Sequence, residues 1–425
     1  LAKKLLPNRL DYLDGLRAIL ALFVVFHHDM LMAWERPAAP PTPLLWLSWG
    51  RLAVDGFIVL SGFCLMLPVL KTGRLRDGPV DFIRRRAWRI LPTFYAAVAV
   101  SLILRYTVIG TGRTGTHGDY DLPINWHAIL ACLVMLQDVF QEYRINNVFW
   151  SIAVEWKIYF LFPILLWGWR KIGPWKTTAI VLALSNIAWY FTQHKRWESL
   201  WLNYIGLFAM GMLAAEIAMT QLDPRAEKIL ASGWLLALVA ILVGSWLKFV
   251  GVWPDGTAWW KTWPAVDFPM AVLVVFALVR MAGVEQSAIR KILSLRPLAA
   301  LGTITYSLYL IHGPMIEIIW RWVCHPLGLG RMGTFVVLVA ATPLVIFGAY
   351  LFFKIAEEPF LRRKPKTPRR DEVETSGAIS PDQLSANAPP GKISVEKVIP
   401  VEKAYPVEKL APSAAVMKAE GVSLS

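Results

Sequence analysis

Leu13–Met30 reads LDGLRAILALFVVFHHDM. It is apolar without interruption from Ala18 to Phe26 and long enough to start a membrane-spanning helix. It also carries Asp14 and Arg17 at its entrance, and His27 and His28 deep inside. Ionisable groups in hydrocarbon are costly and mark functional sites by default. A membrane histidine can also serve as a polar helix–helix contact, and for this stretch alone both readings stand. A helix turns about 100° per residue, so Arg17 and His28, separated by about three turns, share a face. His27 lies about 80° away from that face. Asp14 is a helical neighbour of Arg17. The stretch therefore predicts one polar stripe of Asp14, Arg17 and His28 on an apolar helix. At 1.5 Å per residue, Arg17 and His28 are about 16 Å apart along the axis and cannot be a hydrogen-bonded pair. Arg17 belongs to the mouth of a site and His28 to its depth.

Outward from this helix the chain keeps the same character. Of its 425 residues 56% are hydrophobic, and they fall in long blocks. This predicts an all-α, polytopic integral membrane protein. Ten spans are expected, near 13–33, 52–70, 88–109, 147–168, 175–192, 200–219, 229–250, 264–282, 298–320 and 333–353. A shorter apolar piece at 126–140 reads as re-entrant or interfacial. The net charge of +14 raises nucleic acid as a partner, but the basic residues sit between the apolar blocks, as membrane topology requires. No nucleic acid is expected. With both termini cytosolic, the inner stretches hold 27 Lys and Arg against 10 in the outer ones. That bias supports the orientation. The residues do not choose between plasma membrane and endomembrane. Lys3, Lys4 and Arg9 precede the first run, which ends without a small-residue cleavage site, so no cleavable leader is expected. Tryptophans at the predicted ends, Trp34, Trp46, Trp49, Trp167, Trp169, Trp175, Trp259, Trp260 and Trp263, read as interfacial anchors. Cys64, Cys132 and Cys324 sit in apolar stretches without disulfide or metal spacing. No metal site is expected.

Two domains follow: a transmembrane domain over 1–363 and a cytosolic tail over 364–425. The tail is rich in Pro and Ser and repeats VEKVIP, VEKAYP and VEKLAP from Val395 to Pro412. Such composition cannot bury a core, and a disordered, solvated tail is expected.

Four further stretches carry chemistry. Asp81–Pro92, DFIRRRAWRILP, puts Arg84, Arg85, Arg86 and Arg89 at a cytosolic helix mouth, with Arg86 and Arg89 on one face. They are either positive-inside anchors beside anionic lipid or a two-pronged phosphate clamp. Val54–Leu65, VDGFIVLSGFCL, places Ser61-Gly62 in a helix, where close packing and a serine bonded to its own backbone are expected. Asp55 should be wetted near the outer end. Asn146–Pro163, NNVFWSIAVEWKIYFLFP, buries Glu155 and Lys157, which point in different directions and are not an obvious pair. A buried glutamate either accepts a proton, orients a histidine or bonds a neighbouring helix. Thr303–Pro314, TITYSLYLIHGP, sets His312 after a polar stripe of Thr305, Ser307 and Tyr309 and before a Gly-Pro break. The residues alone favour helix packing for His312 over catalysis.

Taken in order, LDGLRAILALFVVFHH, VDGFIVLSGF, FIRRRAWRILP, FWSIAVEWKIYFLFP, TYSLYLIHGP and the closing EEPFLRR resemble the acyltransferase-3 family of membrane O-acyltransferases over roughly residues 9–363. The resemblance implies ten spans and transfer of an acyl group, often acetyl, from cytosolic acyl-coenzyme A to a hydroxyl of a carbohydrate or other small or lipid-like acceptor. No permanently bound cofactor is implied; acyl-CoA is a co-substrate. The family's arginine and histidine fall on Arg17 and His28, its RxxR pair on Arg86 and Arg89, its WSLxxE glutamate on Glu155, and its SGF on Ser61, Gly62 and Phe63. Ile58, Lys157, Ile158 and the additional His27 depart from the usual pattern, which leaves acceptor identity open. The esterase-like domain of some members is not expected here.

The expected mechanism has Arg86 and Arg89, with Arg17, holding the donor phosphates, and the donor laid along the first helix with its thioester at His28. His28 acts as general base, oriented by Glu155 or, as second choice, Asp14; an acyl-histidine intermediate is the variant. Asp14, Ser61 and His312 support the site. The rival is a multi-spanning transporter with a His/Glu proton relay. A transporter should show pseudo-symmetric halves, and the polar helices have no matching partners.

Overall fold

The computed structural model describes residues 10–34, 40–112, 123–192, 200–220, 232–249, 263–284 and 287–362, with isolated positions between them. The tail repeats, the boundary at 363–364, Trp259 and Trp260 lie outside the described residues. In chain order the helices are α1 (Asp11–Ala33), α2 (Gly50–Thr72), α3 (Gly78–Leu104), α4 (Trp126–Leu133), α5 (Phe149–Ile172), α6 (Pro174–Thr192), α7 (Asn203–Met219), α8 (Trp234–Phe249), α9 (Trp263–Gly283), α10 (Ala288–Leu293), α11 (Arg296–Thr303), α12 (Thr305–Ile319), α13 (Arg331–Ala340), α14 (Thr342–Phe352) and α15 (Glu358–Arg362). A 3₁₀ segment, Thr42–Trp49, leads into α2.

The protein is an all-helical, polytopic membrane protein, and each of the ten expected segments carries a helix or a broken helix. Fewer than ten are straight spans. Among the described residues five stretches are long and apolar enough to cross: Asp11–Ala33, Thr42–Thr72, Gly78–Ile109, Phe149–Ile172 and Ala265–Gly283. A sixth forms if α13 and the following Thr342–Leu361, bent by 45°, count as one. Pro343 explains that bend, since it has no N–H for the preceding turn. The other expected spans are shorter apolar helices, as at Asn203–Met219 and Trp234–Leu247, are interrupted, or, as for the 19-residue α6, are long enough but less apolar. The expected span at 298–320 breaks at Ile304, between α11 and α12.

The predicted Gly-Pro break does not occur, and α12 runs through Gly313 and Pro314. Pro314 cannot donate to the carbonyl of Leu310. Asn146 Nδ2 donates to that carbonyl instead, at 2.9 Å. The side chain of one motif thus repairs the backbone of another.

The core is largely aliphatic, with phenylalanines among its most buried side chains. Phe63, Phe94, Phe149, Phe162 and Phe208 are essentially inaccessible to solvent. Helices α2 and α7 pack with their backbones almost touching: a Cβ on Gly62 would lie 2.1 Å from the Phe208 carbonyl, and one on Gly211 1.9 Å from that of Val59. Small residues allow this approach, and close packing binds helices where lipid offers no hydrophobic drive.

Several charged groups inside the bundle are paired. Arg51 reaches Asp267 at 2.5 and 2.6 Å, and Asn203 Nδ2 donates to the same carboxylate at 2.6 Å. Arg105 grips Glu317 with two bonds of 2.6 Å. Lys157 pairs with Asp138, in the turns that follow α4. The 126–140 piece is therefore a short helix plus a segment keyed into α5, where Gln137 Nε2 also donates to the Phe149 carbonyl. Asp55, expected to be wetted, is wholly buried beside the Arg51–Asp267 pair. Of the expected anchors, Trp46, Trp167 and Trp175 are exposed, whereas Trp34 and Trp169 are buried.

Candidate active site

The polar stripe of α1 faces inward, but its two ends meet different cavities. The first, of about 300 Å³, is lined by Arg17, Ser61, Arg86, Arg89, Glu155 and Tyr309, among others. Arg17 makes an ion pair with Asp14 one turn earlier, and its Nη2 lies 3.1 Å from Cys64 Sγ. The guanidinium is thus fixed from both sides while remaining at the cavity wall. On α3 the four arginines divide. Arg84 pairs with Asp81 at 3.7 Å and Arg85 with Asp77 at 3.0 Å. Arg86 lies over the rings of Phe82 and Tyr159, at 5.6 and 5.8 Å. Among the described residues neither Arg86 nor Arg89 has a carboxylate partner, and both line the cavity. Three guanidinium groups therefore converge on one space, an arrangement suited to phosphate oxygens.

Glu155 faces the same cavity. It accepts from Ser61 Oγ at 2.9 Å and from the hydroxyl of Tyr159, one turn further along α5. Two expectations change here. Ser61 bonds across to α5 rather than back to its own backbone, and Gly62 alone carries the close packing. Glu155 belongs with the arginines, and the side chain beside His28 is a different one. Asp14, the second choice to orient His28, is committed to Arg17.

His28 lies on a second cavity, of about 290 Å³, toward the other end of α1. Arg51, Tyr143, Trp150, Trp201 and Tyr309 share its wall. His28 does not line the arginine cavity, so the two ends of the expected stripe face different, adjoining spaces. His28 Nδ1 is 2.8 Å from the Val24 carbonyl and 3.3 Å from His312 Nε2. His312, wholly buried, places its own Nδ1 2.8 Å from the Tyr309 carbonyl. Carbonyls only accept, so each Nδ1 carries the proton. His312 Nε2 is then an acceptor facing His28 Nδ1–H, and His28 Nε2 is the basic nitrogen. His312, read from the sequence as a packing residue, orients the other histidine. His27 Nδ1 is tied to the Leu47 carbonyl at 2.7 Å.

The sequence did not single out Tyr159 or Arg51, and it gave Tyr309 no role of its own. Tyr159 follows Glu155 by four residues, a spacing that puts both on one helix face. Tyr309 stood in the polar stripe of α12, whose Ser307 donates to Glu357 of the closing EEPFLRR at 2.6 Å. That bond links two quoted motifs and packs the end of the domain onto α12.

Comparison with known proteins places the chain in a family. The acyltransferase domain model matches residues 10–354. O-acetyltransferase OatA of Staphylococcus aureus is 27% identical over 342 residues, covering 74% of this chain and 52% of OatA. BcsY of Komagataeibacter xylinus, assigned by name as a membrane-bound transacylase, is 27% identical over 329 residues, 73% of this chain and 74% of BcsY. The chain thus spans about half the length of the OatA relatives it matches. No solved structure matches it. From the ordered motifs, the helical bundle and a domain match over most of its length, the chain belongs to the acyltransferase-3 family.

Proposed function

We propose that this protein is a membrane O-acyltransferase that moves an acyl group, acetyl in the first instance, from acyl-CoA to a hydroxyl of a carbohydrate or other small or lipid-like acceptor. The observation that carries this reading is the division of α1 between two cavities, one lined by Arg17, Arg86 and Arg89 and one by His28. The arginine cavity takes the phosphates of the donor. The His28 cavity, with Trp150 and Trp201 as flat apolar walls and Arg51 as a polar group, takes the acceptor. His28 Nε2 removes the hydroxyl proton as the acceptor oxygen attacks the thioester carbon. The carbon–sulfur bond breaks, and the proton passes to the departing thiolate, giving an ester and free CoA. His312 and the Val24 carbonyl hold His28 in the required tautomer. The charge bias supports a cytosolic position for both termini, and with them for the arginine cavity and the 364–425 tail. The acceptor then meets His28 from the other face.

The test is acyl transfer in His28→Ala, read by mass spectrometry of glycans and metabolites from cells carrying each form. Loss of a general base lowers turnover by about 10²- to 10⁴-fold. Wild-type turnover removes His28 from the mechanism. Substrate uptake by vesicles without an acyl donor would instead favour the transporter.

A further inference from the structure

The two cavities meet at two side chains. Tyr309 lines both, together with Val54. Its hydroxyl is 2.6 Å from Ser151 Oγ, and Ser151 lines the arginine cavity. Its ring packs edge-on to Phe57, centroids 6.3 Å apart, and lies 5.8 Å from the ring of His312. Its carbonyl fixes His312, which fixes His28. Tyr309 is therefore both the wall between the cavities and the next ring in line behind the histidine pair. Resting on the reading that the donor occupies the first cavity and the acceptor the second, an acyl group must pass this wall before it meets His28.

We propose that Tyr309, latched to Ser151, is the specificity-determining gate of the reaction: it admits an acetyl-sized group to His28 and excludes longer acyl chains, and when closed it keeps water on the His28 side from the thioester. A single neutral hydrogen bond is a weak latch, so the ring can swing without unfolding its surroundings. Val54, Phe57 and Ile58 line the arginine cavity beside it, and under this proposal the tyrosine ring sets the size of the opening between them. Pockets of this kind discriminate by the methylene, since each additional one must find room or be rejected. Both the hydroxyl and the ring have assigned work. The hydroxyl holds the gate shut, and the ring sets its bore.

The experiment uses full-length protein reconstituted in liposomes without acceptor, so that water is the only nucleophile. Release of CoA from acetyl-, butyryl- and octanoyl-CoA is measured, alongside equilibrium binding of CoA itself. Tyr309→Ala is expected to cleave butyryl- and octanoyl-CoA at least about 10-fold faster than the parent, the scale on which apolar pockets discriminate. CoA binding should stay within about 2-fold, because the arginines are untouched. Tyr309→Phe and Ser151→Ala remove the latch and keep the ring. They should raise acetyl-CoA cleavage several-fold while still excluding octanoyl-CoA. Adding His28→Ala to Tyr309→Ala should abolish the gained cleavage. An unchanged chain-length profile and unchanged acetyl-CoA cleavage, with CoA binding intact, overturn the gate. Should Tyr309→Ala fail to fold, the two latch variants decide alone: no rise in acetyl-CoA cleavage overturns it. Failure of the parent protein to bind CoA is a different result, and overturns the donor reading on which the gate rests.

Discussion

Arg86 and Arg84 are two residues apart in one basic run, yet they should behave differently when neutralised. Arg84 is largely exposed and faces Asp81 at 3.7 Å. Exposed pairs of this kind contribute about 0–1 kcal/mol. Arg86 lines the cavity over Phe82 and Tyr159 and has no carboxylate partner among the described residues. A hydrogen bond from a charged donor to phosphate is worth about 1.5–3 kcal/mol. At about 1.4 kcal/mol per tenfold, Arg86→Gln should raise KM and Kd for acetyl-CoA by about 10- to 100-fold. Arg84→Gln should change them by less than about 5-fold. Turnover at saturating donor should move little in either, since the lost contact holds the donor before and during transfer alike. The assay is CoA release read with a thiol reagent, with direct CoA binding beside it. Alkylation of Cys64, whose Sγ sits 3.1 Å from the Arg17 guanidinium, gives an independent readout. Bound CoA should slow it in the parent and protect far less in Arg86→Gln. Equal effects of the two substitutions, or no effect of Arg86→Gln on donor binding, would refute the division of the arginines drawn from the geometry.

Two structural predictions accompany it. Gly211→Leu must push a side chain into the Val59 carbonyl, 1.9 Å from its Cβ. Overpacking costs about 1–3 kcal/mol or more. Thermal unfolding in detergent should therefore fall by several degrees. Gly244→Ala, with nothing within 4 Å, should leave it unchanged or raised. Glu317→Ala strands the buried Arg105 guanidinium, a loss of about 3–5 kcal/mol. The double change Arg105→Leu with Glu317→Leu should unfold at a higher temperature than Glu317→Ala alone; a double variant less stable than the single would contradict the buried-pair reading.

The contrast between Glu155 and His312 shows what was legible in the chain. Both stood out as ionisable groups inside apolar helices, and burial economics alone picked them. Their partners did not stand out. His28 and His312 are separated by 284 positions and meet at 3.3 Å. Glu155 meets Ser61 across 94 positions. The same holds for Lys157, whose need for a partner was legible and whose partner, Asp138, was not. Tyr309 was named only as one member of a polar stripe, because an aromatic on an apolar helix has no unusual cost. Its role arises only from its place between two cavities.

By itself the sequence determined the helical class, the inward polar stripe of α1, the basic mouth and the set of costly residues, because each rests on local periodicity and on the price of a charge in hydrocarbon. The tertiary structure alone decided which of those residues share a space. It put Glu155 with the arginines, paired the two histidines, and set the two ends of the stripe on separate cavities that share Tyr309 and Val54. The physical reason is that helix faces are fixed by 3.6-residue geometry along the chain, whereas contacts between helices depend on close approach at sites such as Gly62 and Gly211, and on bends such as that before Thr342. These are properties of the assembled bundle rather than of any one segment.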